Sequence, residues 1–532
     1  MTLPIVRSRS GKIHYWEVPV GRILFRFSAA VSMLFALTAA GFAQGAATAP
    51  KDIVIANNAN FVSLDPQDTN DNISFSAEKA IYQGLLGFDK DMKLVGVLAT
   101  DWVASPNAKK FTFHLRKGVS FQDGTPFDAA AVKVNIDRLA DPANKLKRHS
   151  LFDQVEKTVV DNEYTVSVYL KAPFGAMLNN FSHPGAMMIS PKALQDYGKD
   201  IFKHPVGTGP YLFKDWVTGD HLTLVKNPNY WGGPVNYNSI TFRSIPEDGT
   251  RVAMLQSGEA DFIYPVPTEQ LQVLAGQGGI VVKHDPTVGI QYASMNTMKK
   301  PFTDIRVRQA LNYAVDKDAF IKVVFNGIAG TATSCLAPNT RFYSPQTPYP
   351  YDPAKAKKLL AEAGYPNGFE TTLWVGTMSV SIKAAQFLQQ QLAMVGVNMK
   401  IESLESGTMA NKIWNVADPK DATIQMYYGS WTPSTADADW GMRPILGGTM
   451  IPPKGYNTAY FQNKEVNADI QAGLDSADVA TRKAAYEKAQ KTIWNEAPWI
   501  FLSVPQNIYA YKDSLQDVNL LPDGTLSVYS LN

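Results

Sequence analysis

The sequence predicts an α/β protein built from more than one lobe. Strand-like and helix-like segments alternate from residue 52 almost to the last residue, the pattern of a mixed fold. Hydrophobic residues make up 45% and charged residues 18%, the balance of a globular chain with a large core. A chain of 532 residues exceeds a single domain, which usually takes about 100–200 residues.

The elements follow in order. "DIVIANN" (52–58) is a short apolar strand, and "ISFSAEKAIYQGLL" (73–86) has helical spacing. In "KKFTFHLRKGV", Phe111, Phe113 and Leu115 share one strand face by period two. Asp128 opens the helix "FDAAAVKVNIDRLA", where Val132, Ile136 and Leu139 form one face. "VEKTVVDNEYTVSVYL" reads as a hairpin turning at Asp161-Asn162, with Val166, Val168 and Leu170 inward. "GPYLFKDWVTGDHLTLVKN" is a second hairpin turning at Thr218-Gly219-Asp220. "EDGTRVAMLQSGEADFIY" runs helix, Gly258 stop, strand. "DIRVRQALNYAVDKDAFIKVVFNG" spaces Val307, Leu311 and Ala314 helically and ends at Gly327. "YDPAKAKKLLAEAGY" places Asp352 as cap, Pro353 in the first turn and Gly364 past the end. "SIKAAQFLQQQLAMVGVNMKIESL" is helix then strand, and "TRKAAYEKAQKTIWNEA" is a late helix.

The first residues read differently. Arg7, Arg9, Lys12, Arg22 and Arg26 precede the apolar run "AAVSMLFALTAA" (29–40) and the small residues of "GFAQGA". This is the three-part pattern of a secretory signal peptide over 1–43, with cleavage after Ala43 or Ala46; a retained anchor is the rival reading. Losing the five basic residues and Glu17 takes the formal +2 to about −2. The mature part has no dense Lys/Arg run, so composition speaks for no nucleic acid. Cys335 is the only cysteine, which excludes an intrachain disulfide and leaves stability to the core.

Motifs for chemistry are scarce. In "HPVGTGPYLF", Pro210 follows Gly209 and removes a backbone N–H that a phosphate cradle would use, so the stretch reads as a turn. His114, His149, His183, His204, His221 and His284 show no ligand spacing, and the chain has no HExxH, CxxC or GxSxG. The sequence therefore predicts neither cofactor nor metal. The stretch "GSWTPSTADADWGMRP" (429–444) stands apart, with Asp437 and Asp439 between Trp431 and Trp440. It reads as a grip on a charged ligand, an acid/base pair, or only a turn in which Asp439 caps a helix.

Longer stretches carry a resemblance. "LDPQDTNDN", "AIYQGLLGFDKDMKLVGVLATDWVAS", "FTFHLRKGVSFQDGTPFDAAAVKVNIDR", "HPVGTGPYLFKDWVTGDHLTLVKNPNYW", "AMLQSGEADF", "VRQALNYAVDK", "YDPAKAKKLLAEAGYPNGF" and "EAPWI" closely resemble the peptide-binding receptors of bacterial ABC importers, the extracellular solute-binding proteins of family 5, over 51–532. "DPANKLKRHSLF" (141–152), "NTAYFQNKEV" (457–466) and "ADADW" resemble the branch that binds glutathione. The resemblance implies a two-lobed periplasmic-binding-protein fold with a hinge. Lobe I would take 51–88, 204–288 and 502–532; an inserted domain 89–203; lobe III 289–501. It also implies a periplasmic, monomeric, non-catalytic receptor that closes on a small peptide and delivers it to membrane permease subunits.

Dipeptide receptors hold the ligand's amino group with an aspartate where this chain has Ser434, and their basic residue for the ligand carboxylate is missing from "WVGTMSV" (374–380). Both departures favour a peptide with differently spaced ends, such as glutathione. Its ammonium would take Asp437 or Asp439; its carboxylates would take Arg138, Lys147 or Arg148. Tyr428, Trp431 and Trp440 would exclude water, and Asn60 and Phe61 lie in the loop that matches a ligand-contacting loop of the family. A dipeptide, oligopeptide or heme receptor is the alternative within the family; an exported peptide hydrolase using Asp437 and Asp439 is the alternative outside it.

Overall fold

Two large mixed sheets organise the chain, in a computed structural model that describes residues 51–529; the expected signal peptide lies outside the described residues. The first sheet has seven strands, in the order Ile280–Pro286, Gln506–Lys512, Phe262–Tyr264, Asp52–Asn57, Ser239–Ser244, His221–Lys226, Tyr211–Val217. Asp52–Asn57 runs parallel to both of its neighbours, and the outer pairings are antiparallel. The second sheet has six strands, in the order Gly330–Thr331, Trp499–Val504, Ile290–Met295, Met426–Trp431, Phe369–Gly376, Val397–Leu404. Here Phe369–Gly376 is parallel to both neighbours. A separate four-stranded antiparallel sheet comprises Ala99–Ala104, Lys110–Leu115, Thr165–Leu170 and Val155–Asn162.

Local sequence explains these elements. Phe111, Phe113 and Leu115 are buried on one face, against Val166, Val168 and Leu170 of the paired strand. Period two on both partners buries one face and solvates the other. Asp128 accepts from the Ala131 N–H at 2.8 Å and starts Ala129–Ala140, whose Val132, Ile136 and Leu139 join the same core. Asp352 caps Pro353–Glu362, and Gly364 follows with φ +90°.

Three expectations shift. The hairpin after Val155 turns at Glu163-Tyr164, because Asn162 still pairs with Thr165. The helical pattern from Asp304 splits into Ile305–Ala314 and Lys317–Val324, because Asp316 caps a new start with its carboxylate on the Ala319 N–H. The helix at Asn72–Ile81 stops earlier than expected, at Tyr82, whose backbone is extended.

The chain crosses between the large sheets at two places. Ile280–Pro286 continues into Ile290–Met295, and Trp499–Val504 continues into Gln506–Lys512. The two crossings touch: Thr287 donates to the Pro505 carbonyl from its N–H at 3.0 Å and from its hydroxyl at 3.1 Å. The same hydroxyl accepts from the Gly289 N–H at 3.0 Å. A Cβ on Gly289 would lie 2.9 Å from the Thr432 hydroxyl, so the backbone there passes close to the second sheet. Two short side-by-side segments between otherwise separate sheets form a hinge, where a few residues absorb a rotation. Trp499–Val504 keeps pairing to its last residue, so the second sheet reaches Val504, past the expected boundary at 501. The ribbon Leu86–Phe88 with Leu94–Gly96 likewise straddles the expected boundary at 88.

Candidate interlobe binding site

Register places both functional edges at the hinge. In the second sheet, Trp431 at the carboxyl end of Met426–Trp431 pairs with Ile290, the first residue after a crossing. In the first sheet, Pro286 pairs with Gln506, and Phe262–Tyr264 runs its carboxyl end toward that same crossing. The carboxyl ends of the parallel strands (Asn57, Ser244 and Tyr264 on one side; Gly376, Leu404 and Trp431 on the other) therefore face each other across the hinge. Ligands of open α/β sheets bind at this edge, where the loops to the following helices lie. Three helices of the second lobe start from it, at Ser379, Ser406 and Ala438.

Trp431 and Trp440 form the start of an aromatic strip. Their rings are 6.2 Å apart; Tyr456 lies 5.4 Å from Trp431, and Trp414 lies 5.7 Å from Tyr456. Both Trp431 and Trp440 are half-buried, and Tyr456 is exposed. Sequence explains one lock in this strip. Pro444 sits inside the helix Ala438–Leu446 and has no N–H for the Trp440 carbonyl four residues back. The Trp431 indole N–H donates to that carbonyl instead, at 2.7 Å.

The two aspartates of this stretch are engaged within the protein. Asp437 caps the helix, accepting from the Asp439 N–H at 2.9 Å, and its Oδ1 pairs with Arg482 at 2.8 Å. Asp439 accepts two bonds from Arg443, each 2.8 Å, one helical turn on. The expectation of a free carboxylate for a ligand ammonium meets two carboxylates already neutralised by guanidinium groups. The rival expectation, of Asp439 as the helix cap, gives way to Asp437, because the helix starts at Ala438. Sequence reading missed Arg482, although the signal was present: Arg482 shares the inner face of its helix with Tyr486, Ala489 and Ile493. A charge on an apolar stripe needs a buried partner.

A third guanidinium, Arg341, has no carboxylate in contact among the described residues. Its Nη1 donates to the Asn179 side-chain Oδ1 at 3.0 Å, and its guanidinium carbon lies 4.8 Å from the Phe342 ring centre. Burial lowers its pKa, and the field of Asp437 opposes that shift. Three arginines thus stand beside Asp437 and Asp439, with Asp153 also within electrostatic reach of Arg443. No periodicity marks Arg341, which lies in a loop. Asn179 also donates to the Thr435 carbonyl at 3.0 Å, and the Gly175 N–H donates to the Leu474 carbonyl at 2.7 Å. The segment 174–180, which packs with the four-stranded sheet, thus docks on the second lobe beside the candidate site. Gly175 is required there, since a Cβ would lie 1.9 Å from the Ser476 carbonyl oxygen.

The remaining predicted residues divide. Asn60 is exposed in the loop after Asp52–Asn57, at the carboxyl edge, while Phe61 is buried and packs edge-on against Phe242 at 5.6 Å. Ser434 is half-buried in the turn after Trp431. Tyr428 is buried, and its hydroxyl has no hydrogen-bond partner among the described residues. Arg138 grips Asp65 through two bonds, 2.6 and 3.2 Å, and also donates to Gln67 at 2.7 Å. The Lys147 ammonium donates to the Asp68 carbonyl, and the Arg148 Nε donates to the Thr69 carbonyl at 2.6 Å with its plane 5.0 Å from the Phe75 ring centre. These three basic residues, expected at ligand carboxylates, instead tie the inserted segment to the stretch from Asp65 to Phe75. Among the described residues no cluster of His, Cys, Asp or Glu could hold a metal.

Residues 93–452 match the family described as bacterial extracellular solute-binding proteins, family 5. The chain belongs to that family. As a solute-binding protein it is 45% identical over 498 residues to the glutathione-binding protein GsiB of Pectobacterium atrosepticum, covering 92% of this chain and 96% of that one. Among solved structures it is similar to the periplasmic binding protein DppA of Helicobacter pylori in complex with the peptide STSA. That likeness has a TM-score of 0.72 at 28% identity and covers 89% of this chain and 96% of the other. HbpA2 from Haemophilus parasuis superposes with a TM-score of 0.81 at 25% identity, over 90% of this chain and 99% of that one. The two-lobed fold of this solute-binding protein is that of periplasmic receptors.

Proposed function

We propose that this protein is a periplasmic receptor of an ABC importer that captures glutathione, or a small peptide of like charge, between its two hinged lobes and hands it to membrane permease subunits. The observation that carries this reading is the 45% identity with a glutathione-binding protein over nearly the whole chain, aligned with the facing carboxyl edges at the hinge. The division that fits the sheets is a first lobe around the seven-stranded sheet, a second around the six-stranded sheet ending at Val504, and an inserted domain around the four-stranded sheet.

Charge supports the same reading. Glutathione carries one ammonium and two carboxylates, and closing a cleft over them costs several kcal/mol per ion, by order of magnitude, unless each finds a partner. The Arg341 guanidinium, with no carboxylate in contact among the described residues, suits a ligand carboxylate. Asn60 and Ser434 supply polar contacts from the two sides, while Trp431 and Trp440 shield them from water. Binding shifts the hinge only as far as the ligand prefers the closed form. The receptor acts as a monomer and performs no chemistry on its ligand.

Titration calorimetry against glutathione, glutathione disulfide and dialanine tests the proposal. Saturable binding of either form of glutathione with no dialanine signal is the expected result. Equal binding of dialanine would replace it with a general dipeptide receptor, and ligand recovered cleaved would replace it with a hydrolase.

A further inference from the structure

A second cavity, of about 250 Å³, lies away from the hinge. It is walled by the ribbon around Val95 and by Tyr230, Trp231, Asn236, Asp517 and Tyr529, and the Asp517 carboxylate accepts from the Asn236 side-chain amide. Asn236 precedes the strand Ser239–Ser244, so the cavity sits at the amino edge of the first sheet, opposite to the carboxyl edge that faces the cleft.

Its walls are fixed by one buried side chain. Gln83, 2% exposed, donates to the Tyr230 hydroxyl at 2.9 Å and accepts from the Trp231 indole N–H at 2.8 Å and the Thr208 hydroxyl at 3.1 Å. Tyr529 meets Tyr230 edge-on at 6.3 Å. Into this aromatic slot comes Arg116, its guanidinium 4.7 Å from the Trp231 ring centre. The Arg116 Nε donates to the Val97 carbonyl at 3.1 Å, which anchors the fork. Its two terminal amino groups have no hydrogen-bond or ion-pair partner among the described residues. A planar guanidinium with both outer N–H groups open matches a carboxylate through two parallel bonds. The flat rings beside it match a planar body.

We propose that this cavity is a second binding site, which takes a small planar carboxylate through Arg116 and stacks it among Tyr230, Trp231 and Tyr529. Arg116 belongs to the inserted domain and Trp231 to the first lobe, so an occupant would brace one on the other, independently of the cleft.

Benzoate titrated into the purified protein and followed by calorimetry is the direct probe, with neutral benzamide as its isostere. Saturable benzoate binding is expected, with benzamide at least about tenfold weaker. Arg116→Gln is expected to weaken benzoate at least about tenfold, and Trp431→Ala in the cleft to leave it unchanged. Val95→Trp, which fills the cavity and keeps Arg116, is expected to abolish binding should Arg116→Gln fail to fold. Absence of saturation, equal binding of benzamide, full binding by either cavity variant, or loss in Trp431→Ala would overturn the proposal.

Discussion

The Asp437 carboxylate and the Arg482 guanidinium lie 2.8 Å apart, with 0% and 2% of their side chains exposed. Phe342 closes the pair from one side, its ring centre 5.1 Å from the Arg482 guanidinium carbon, and stacks on Tyr486. Removing one member leaves the other charged and buried. Asp437→Asn is therefore expected to cost about 3–5 kcal/mol of stability, measured by urea unfolding. A variant that keeps wild-type stability but loses ligand affinity would instead make Asp437 a ligand contact.

The Trp431 indole and Pro444 act on the same carbonyl, that of Trp440. Trp431→Phe deletes the donor and is expected to cost about 0.5–1.5 kcal/mol. Pro444→Ala restores an N–H at the fourth position and should recover part of that loss in the double variant. A double-mutant cycle by chemical denaturation reads the coupling; strict additivity would mean that the indole bond does not compensate for the proline.

Gly175 couples the inserted segment to the second lobe. Gly175→Leu cannot keep its approach to Ser476, so the docked arrangement should lose population. Ligand affinity is expected to fall about tenfold, close to 1.4 kcal/mol, with the radius of gyration of the liganded form rising in small-angle scattering. An unchanged affinity would separate this contact from closure.

Lys317 offers a pH signature. Burial lowers its pKa from 10.5 to about 7, against the opposing field of Asp316, while its ammonium donates to the Asn312 carbonyl. The unfolded chain binds this proton up to its ordinary pKa and the folded chain does not, so the lysine's contribution to stability rises with pH between about 7 and 10.5. The stability of wild type relative to Lys317→Met should therefore increase across pH 7 to 9.5 in thermal unfolding. A flat difference would mean that the folded lysine titrates normally.

Period-two and helical patterns were legible wherever one face is buried, as at Phe111 and Phe113 or Val132 and Ile136. The split at Asp316 was not, because the apolar spacing continues across it and only the cap reveals a second helix. Trp431 and Asn60 were expected at the ligand from the resemblance; strand register sets Trp431 opposite Ile290 beside the hinge, while Asn60 follows the carboxyl end of Asp52–Asn57. The helix face of Arg482 signalled that it needed a buried partner, but which carboxylate it meets was not legible, nor was the pairing of Arg138, since each pair joins residues far apart in the chain, 437 with 482 and 138 with 65. A carboxylate beside tryptophans looks the same in sequence whether it faces a ligand or an arginine.

The strand Gln506–Lys512 lies between Ile280–Pro286 and Phe262–Tyr264 in the sheet that Asp52–Asn57 begins. A ribosome must therefore add more than 450 residues to that first strand before the layer can close. Until then Phe262–Tyr264 and Ile280–Pro286 keep bare edges toward each other, the kind of surface that invites wrong pairing and slows maturation.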